Sequence, residues 1–187
     1  MRVLGISGSL RKDSWNTKLL DAAAELLPGD VEFELYDGLK AVPPYDEDDD
    51  TADAPAAAAH FRAAIAGADA ILFATPEYNS SVPGQLKNAL DWASRPLKTS
   101  PLRNTPVAVV GASMGAFGAV WAQAELRKVL AATGARIVDG EVAVGHANTR
   151  FDDEGRLADD DLRDQLGEVV QGLVVEASAR QKALAAA

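Results

Sequence analysis

The sequence predicts a three-layer α/β/α sandwich around a five-stranded parallel sheet, and three observations carry that prediction. The runs AILFAT at 70–75 and VAVVG at 107–111 are unbroken by polar residues, as strands covered on both faces are. Each is followed by a segment with apolar residues three and four apart, the spacing of one helix face. Strand and helix patterns alternate along the whole chain with short turns between them, which argues for parallel pairing through helical crossovers.

In order, Val3 to Ile6 is a short apolar run that stops at glycine and serine. Trp15, Leu19, Leu20, Ala23, Leu26 and Leu27 then recur at helical spacing until Pro28-Gly29 ends them. Val31, Phe33 and Leu35 alternate with acids, giving a second strand with one more exposed face. The stretch AVPPYDEDDDTADAP, with three prolines and a run of acids, reads as a surface connection. Its spacing lacks the glycine-punctuated pattern of a calcium loop.

An alanine-rich helix at 57–66 precedes the third strand, and Leu86, Ala89, Leu90 and Ala93 mark a helix that Pro83 can start. After the fourth strand, Ala122, Leu126, Val129 and Leu130 mark a long helix closed by Gly134. Residues 135–144 are expected to hold a fifth strand. Leu162, Leu166, Val169, Val170, Leu173 and Val174 form one face of a terminal helix. Five strands in this alternation fit a flavodoxin-like sheet of order 2-1-3-4-5, and 187 residues fit a single domain spanning 1–187.

Composition narrows the function. Lys and Arg total 18 against 28 Asp and Glu, a formal charge of −10 that opposes general attraction to nucleic acid or an anionic membrane. The absence of cysteine removes disulfides, thiolate metal sites and a thiol nucleophile. His60 and His146 alone cannot complete a typical zinc site, so no metal is expected. Met1 leads at once into the first strand, with no export leader or bilayer-length apolar run, and a cytoplasmic protein is the expectation.

In open parallel sheets the ligand sits beyond the carboxyl ends of the strands, near the switch point between strands 1 and 3. The loops there read GSLRKDSWNT, TPEYNSSVPG and GASMGAFG, whereas the opposite edge holds ordinary turns. In the first, Ser9, Ser14 and Thr17 offer hydroxyls, Asn16 an amide, Arg11 a charged fork, and the next helix its positive end. That is the composition of a monophosphate cradle. It matches neither GxxxxGK[ST] nor GxGxxG, so neither a nucleoside triphosphate nor a dinucleotide pyrophosphate is indicated.

The second loop, Pro76, Glu77, Tyr78 and Asn79, is by itself ambiguous between an edge for a flat heteroaromatic ligand and a plain turn in which Tyr78 is an edge residue and Asn79 a turn former. In the third, Gly111-Ala-Ser113-Met-Gly115 satisfies GxSxG, and Asp139 and His146 follow in the chain order of a hydrolase triad. A serine hydrolase is therefore the sharpest alternative chemistry. Only one strand follows Ser113, however, where that fold needs several to deliver the acid and the histidine.

Taken together, GSLRKDSWNTKLL, PEYNSSVPGQLKNALDW and GASMGAFGAVWAQAELRKVL closely resemble the NAD(P)H-dependent FMN reductase family, which includes quinone- and chromate-reducing members. The resemblance implies FMN as cofactor, with its phosphate held by Ser9, Arg11, Ser14, Asn16 and Thr17. It implies ribityl and ring contacts from Pro76, Glu77, Tyr78, Asn79 and Ser80, and closure over the ring by Ser113, Met114 and Gly115. Ser113 is then a cofactor contact rather than a nucleophile.

NAD(P)H would be the co-substrate, and a quinone, free flavin or similar small molecule the electron acceptor. Hydride chemistry belongs to the cofactor, so no catalytic residue is named. A flavodoxin-like electron carrier or sensor is the second reading. The resemblance also implies a homodimer or homotetramer with the flavin near a subunit boundary, where Leu86 and Trp92 are candidate contacts, a place in the chain's own core being the equal alternative. The chain departs from the family at Gly118-Ala119 and Trp121, where relatives often have a glycine pair and an arginine.

Overall fold

The computed structural model describes residues 1–186. Its sheet is built from β1 (Arg2–Ser7), β2 (Glu32–Tyr36), β3 (Ala70–Thr75), β4 (Pro106–Ala112), β5 (Arg136–Ile137) and β6 (Ala143–Val144). The strand order is β2-β1-β3-β4-β5, every pairing is parallel, and β6 also pairs with β4. Helices α1 (Trp15–Glu25), α2 (Ala56–Ala66), α3 (Gly84–Ala93), α4 (Val120–Ala132) and α5 (Asp160–Ala185) complete the layers.

Alternate side chains of the central strands enter two separate cores. Leu4, Ile6, Ile71, Phe73, Val107 and Val109 pack with α2, α3 and α4, whereas Val3, Ala70, Leu72, Ala108 and Val110 pack with α1 and α5. This two-sided burial is why β3 and β4 read as continuous apolar runs. Trp92 is fully buried, donates Nε1–H to the Pro43 carbonyl at 2.9 Å, and meets Tyr45 edge-on at 5.0 Å. Leu86 is fully buried as well. Both are core residues of the chain, the second of the two places open to them in the sequence, and not subunit contacts.

The fifth strand differs from the expectation. Residues 135–144 form two short pieces, β5 against the start of β4 and β6 against its end. Gly140, at φ +121°, breaks the extended run between them. The guanidinium of Arg127 fills the gap, donating to the carbonyls of Val109 at 2.8 Å and Gly140 at 2.7 Å. Burial pushes the pKa of this guanidinium down, with Glu141 and Asp139 opposing the shift. A side chain therefore completes a ladder that periodicity assigned to backbone alone.

Candidate functional site

A cleft of about 450 Å³ lies at the carboxyl edge of the sheet, within the range of roughly 300–1,000 Å³ usual for cofactor sites. Its walls are Ser9, Arg11, Ser14, Trp15 and Asn16 after β1, Pro76, Glu77 and Tyr78 after β3, and Ala112, Ser113 and Met114 at the end of β4. Three loops far apart in sequence thus meet at one place. The topology causes this, because β1, β3 and β4 are neighbours and parallel, so their carboxyl ends share one edge.

The first loop is shaped by hydroxyl-to-backbone bonds. Ser14 caps α1 by accepting from Asn16 N–H at 3.2 Å, and Ser9 accepts from Arg11 N–H at 3.4 Å. Each hydroxyl keeps its own proton to donate. The first-turn N–H groups of Trp15 and Thr17 have no backbone or side-chain partner among the described residues. With the Arg11 guanidinium beside them, these donors fit a phosphate at a helix N-terminus.

Gly8 fixes the point where this loop leaves β1. Its N–H is already bonded to the Ala74 carbonyl at 2.8 Å, and a Cβ there would meet Leu86 Cδ2 at 2.9 Å. The glycine lets the loop lie against α3.

Two predicted contacts are engaged elsewhere by their side chains. Asn16 is buried: its Nδ2 donates to the Ala112 carbonyl at 3.0 Å, and its Oδ1 accepts from Ala112 N–H at 2.9 Å. Its amide pins α1 to the end of β4 while the residue also borders the cleft. Thr17 donates its hydroxyl to Ser7 Oγ at 3.2 Å and lines a neighbouring cleft.

Replacing Asn16 by alanine should cost about 1–3 kcal/mol, since two buried backbone groups lose their partners. Asn16→Asp should be no better at neutral pH, because a carboxylate would face the Ala112 carbonyl. Urea unfolding measures both, and an Asn16→Asp protein as stable as wild type would refute the reciprocal pairing.

The second loop is held to α4 from both directions. Glu77 Oε2 accepts from Trp121 N–H at 3.1 Å and Ala122 N–H at 3.0 Å, capping a helix whose own N-cap, Ala119, has no side-chain oxygen. In return, Glu125 Oε2 accepts from Ser81 Oγ–H at 2.5 Å and Val82 N–H at 3.3 Å. Between these bonds Tyr78 and Ser81 pair across a tight turn, with Asn79 and Ser80 at φ 53° and 58°. Asn79 and Ser80 are exposed at its tip, outside the cleft wall.

The bond from Ser81, then that from Val82, holds the Glu125 carboxyl below its ordinary value of 4.5. A depressed carboxylate pKa gives support that is fully present above the ordinary value and lost as pH falls through the depressed one. Amide-exchange protection at residues 78–82, taken relative to the intrinsic rate at each pH, should therefore fall as the solution is acidified through that window, and Glu125→Gln should remove the acid-dependent step. Identical exchange profiles for the two proteins would sink this role.

The third loop does not build a hydrolase. Ser113 Oγ accepts from Gly115 N–H at 3.0 Å, and α4 begins only at Val120, so no strand-to-helix elbow forms. His146 is tied through its backbone N–H to the Gly115 carbonyl at 3.0 Å. No hydrogen bond joins Ser113, His146 and Asp139 among the described residues. Gly115 is exposed beyond the cleft wall, while Met114 lines it.

Trp15 was legible only as a helix residue, yet it lines the cleft, stacked on Phe151 at 5.3 Å with Lys18 over its ring at 4.5 Å. Its signal was an aromatic at the first helical position behind a donor-rich loop. Around the mouth, Tyr78, Met114, Phe117 and Trp121 are exposed, with Phe117 and Trp121 edge-to-face at 5.0 Å.

A doubly wound sheet with a phosphate-competent loop and an open cleft at its switch point is the arrangement of a flavodoxin-like fold. More particularly, residues 1–149 match the NADPH-dependent FMN reductase family, and the chain belongs to it. It is 44% identical to a NAD(P)H-dependent FMN reductase of Pseudomonas aeruginosa over 174 residues, 92% of this chain and 93% of that protein. It is 41% identical to a 2-hydroxy-1,4-benzoquinone reductase of a Burkholderia species, covering 89% and 90%. The structure superposes on FerB, a flavoenzyme NAD(P)H:(acceptor) oxidoreductase of Paracoccus denitrificans, with a TM-score of 0.82 and 34% identity over 95% and 97% of the two chains. The family fixes FMN as cofactor and NAD(P)H as co-substrate.

Proposed function

We propose that residues 1–187 act as one FMN-binding domain that oxidises NAD(P)H and reduces a quinone or similar small acceptor. The observation that carries this reading is the single cleft with anion donors at one end and the exposed side chains of Tyr78 and Met114 at the other. Bound FMN would accept a hydride from the nicotinamide and return the electrons to the acceptor.

The protein's own part is placement. Ser9, Ser14, Arg11 and the first turn of α1 hold the phosphate. Pro76, Tyr78 and the backbone at Glu77 border the ribityl chain and ring, with Asn79 and Ser80 shaping the turn. Ser113, Met114 and Gly115 border the ring from the other side. The open rim leaves one ring face free for donor and acceptor in turn.

The exposed Phe117 and Trp121 support a second copy packed beside the mouth, in a homodimer or homotetramer that leaves the Tyr78 side open. Dependence on NAD(P)H supports work in the cytoplasm, where that reductant is kept. No helix is long and apolar enough to cross a membrane among the described residues.

The test is optical. FMN-loaded protein should lose its yellow absorbance on anaerobic addition of NAD(P)H and regain it on addition of a benzoquinone. Failure to bind FMN would remove the cofactor reading. Binding without oxidation of NAD(P)H would identify a carrier or sensor instead.

A further inference from the structure

A second cleft, of about 320 Å³, lies on the other side of the phosphate loop, between it and the end of β2. It shares Ser9 and Arg11 with the first cleft, and Lys12 and Lys40 add two more cations. None of Arg11, Lys12 and Lys40 pairs with a carboxylate among the described residues. Asp37 is the one acid on its wall, so the local balance is two positive charges in a chain whose total is −10. Such a basin in an acidic field attracts a localised anion.

The wall is not wholly polar. Leu10 and Leu35 line it with exposed side chains, which suits a flat apolar group beside the anion. A smaller cleft of about 210 Å³, bordered by Leu10, Arg11 and Tyr78, lies between this basin and the rim of the first cleft. Arg11 borders all three, so the Tyr78 edge and the lysines lie around one side chain.

We propose that this second cleft binds the 2′-phosphoadenosine end of NADPH, with Lys12 and Lys40 reading the 2′-phosphate and Leu10 and Leu35 supporting the adenine. The inference rests on the oxidoreductase reading above and deepens it to a preference for NADPH over NADH. An acid at the end of β2 standing alone would suit a free ribose hydroxyl and hence NADH. Here two lysines outweigh Asp37, and a phosphate is the better partner. The nicotinamide end then reaches the open ring face beside Tyr78, while FMN keeps the first cleft.

The test is calorimetric, on FMN-loaded protein at constant ionic strength, with 2′,5′-ADP and 5′-ADP as probes. The 2′,5′-ADP should bind about tenfold more tightly or better, the scale of one charge-assisted contact. The double variant Lys12→Ala/Lys40→Ala should erase that difference while leaving FMN affinity unchanged. Its kcat/KM should fall for NADPH and stay constant for NADH.

Equal binding of the two probes by wild type, no binding of either, or a preference that survives the double variant would overturn the assignment. A preference for 2′,5′-ADP in a protein that never oxidises NADPH would keep the site and refute the oxidoreductase reading, so the two failures are distinguishable.

Discussion

Gly118→Ala should lower stability by about 2–5 kcal/mol and weaken FMN binding with it. Two penalties add at this position. Its φ of +57° disfavours any Cβ by roughly 1–2 kcal/mol. The added Cβ would also lie 2.2 Å from the carbonyl carbon of Ala143 and 2.5 Å from the Val144 nitrogen, both backbone atoms of β6, and such overpacking costs about 1–3 kcal/mol. Neither atom can rotate aside.

The collision would be passed to the cleft, because Val144 accepts from Ser113 N–H at 3.0 Å. Ala119 next door is the control. It sits at φ +63°, so Ala119→Gly relieves strain and should be neutral or stabilising by up to about 1 kcal/mol, after the entropic cost of glycine. Thermal unfolding of the two variants measures both effects, and equal shifts in the same direction would contradict the account.

Arg11→Ala should weaken FMN binding about tenfold to a hundredfold, the range for losing a charge-assisted hydrogen bond to phosphate. The guanidinium is held over the loop because its Nη2 donates to the Asp13 carbonyl at 2.6 Å. Arg11→Lys should recover part of the loss, since an ammonium keeps the charge but not the planar fork. Riboflavin, which has no phosphate, separates this role from a general disturbance. Its affinity should be the same in wild type and Arg11→Ala, as fluorescence titration would show. A matching loss for riboflavin would move Arg11 out of the phosphate site.

The order of the sheet, the two buried strands and the three converging loops were all legible in the sequence. They rest on local periodicity and on a topological rule that needs no side-chain detail. What escaped was the engagement of polar side chains across long sequence separations. Asn16 looked like a ligand donor because its type and place suited one, yet Ala112, 96 residues away, satisfies both ends of its amide. Glu77 likewise borders the cleft while its carboxylate caps a helix 44 residues on. The fifth strand is present but split for a related reason: Arg127 replaces backbone partners that a strand pattern takes for granted.

The crossed carboxylates, Glu77 reaching to α4 and Glu125 reaching back, bear on protein engineering. Transplanting PEYNSSVPG alone into another flavoprotein to alter its acceptor range would leave Glu77 without a helix to cap and Ser81 without its acceptor. The transferable cassette is the turn together with the first six residues of α4, Val120 to Glu125, joined only through space. Shuffling boundaries drawn between these segments would separate parts that work as one module.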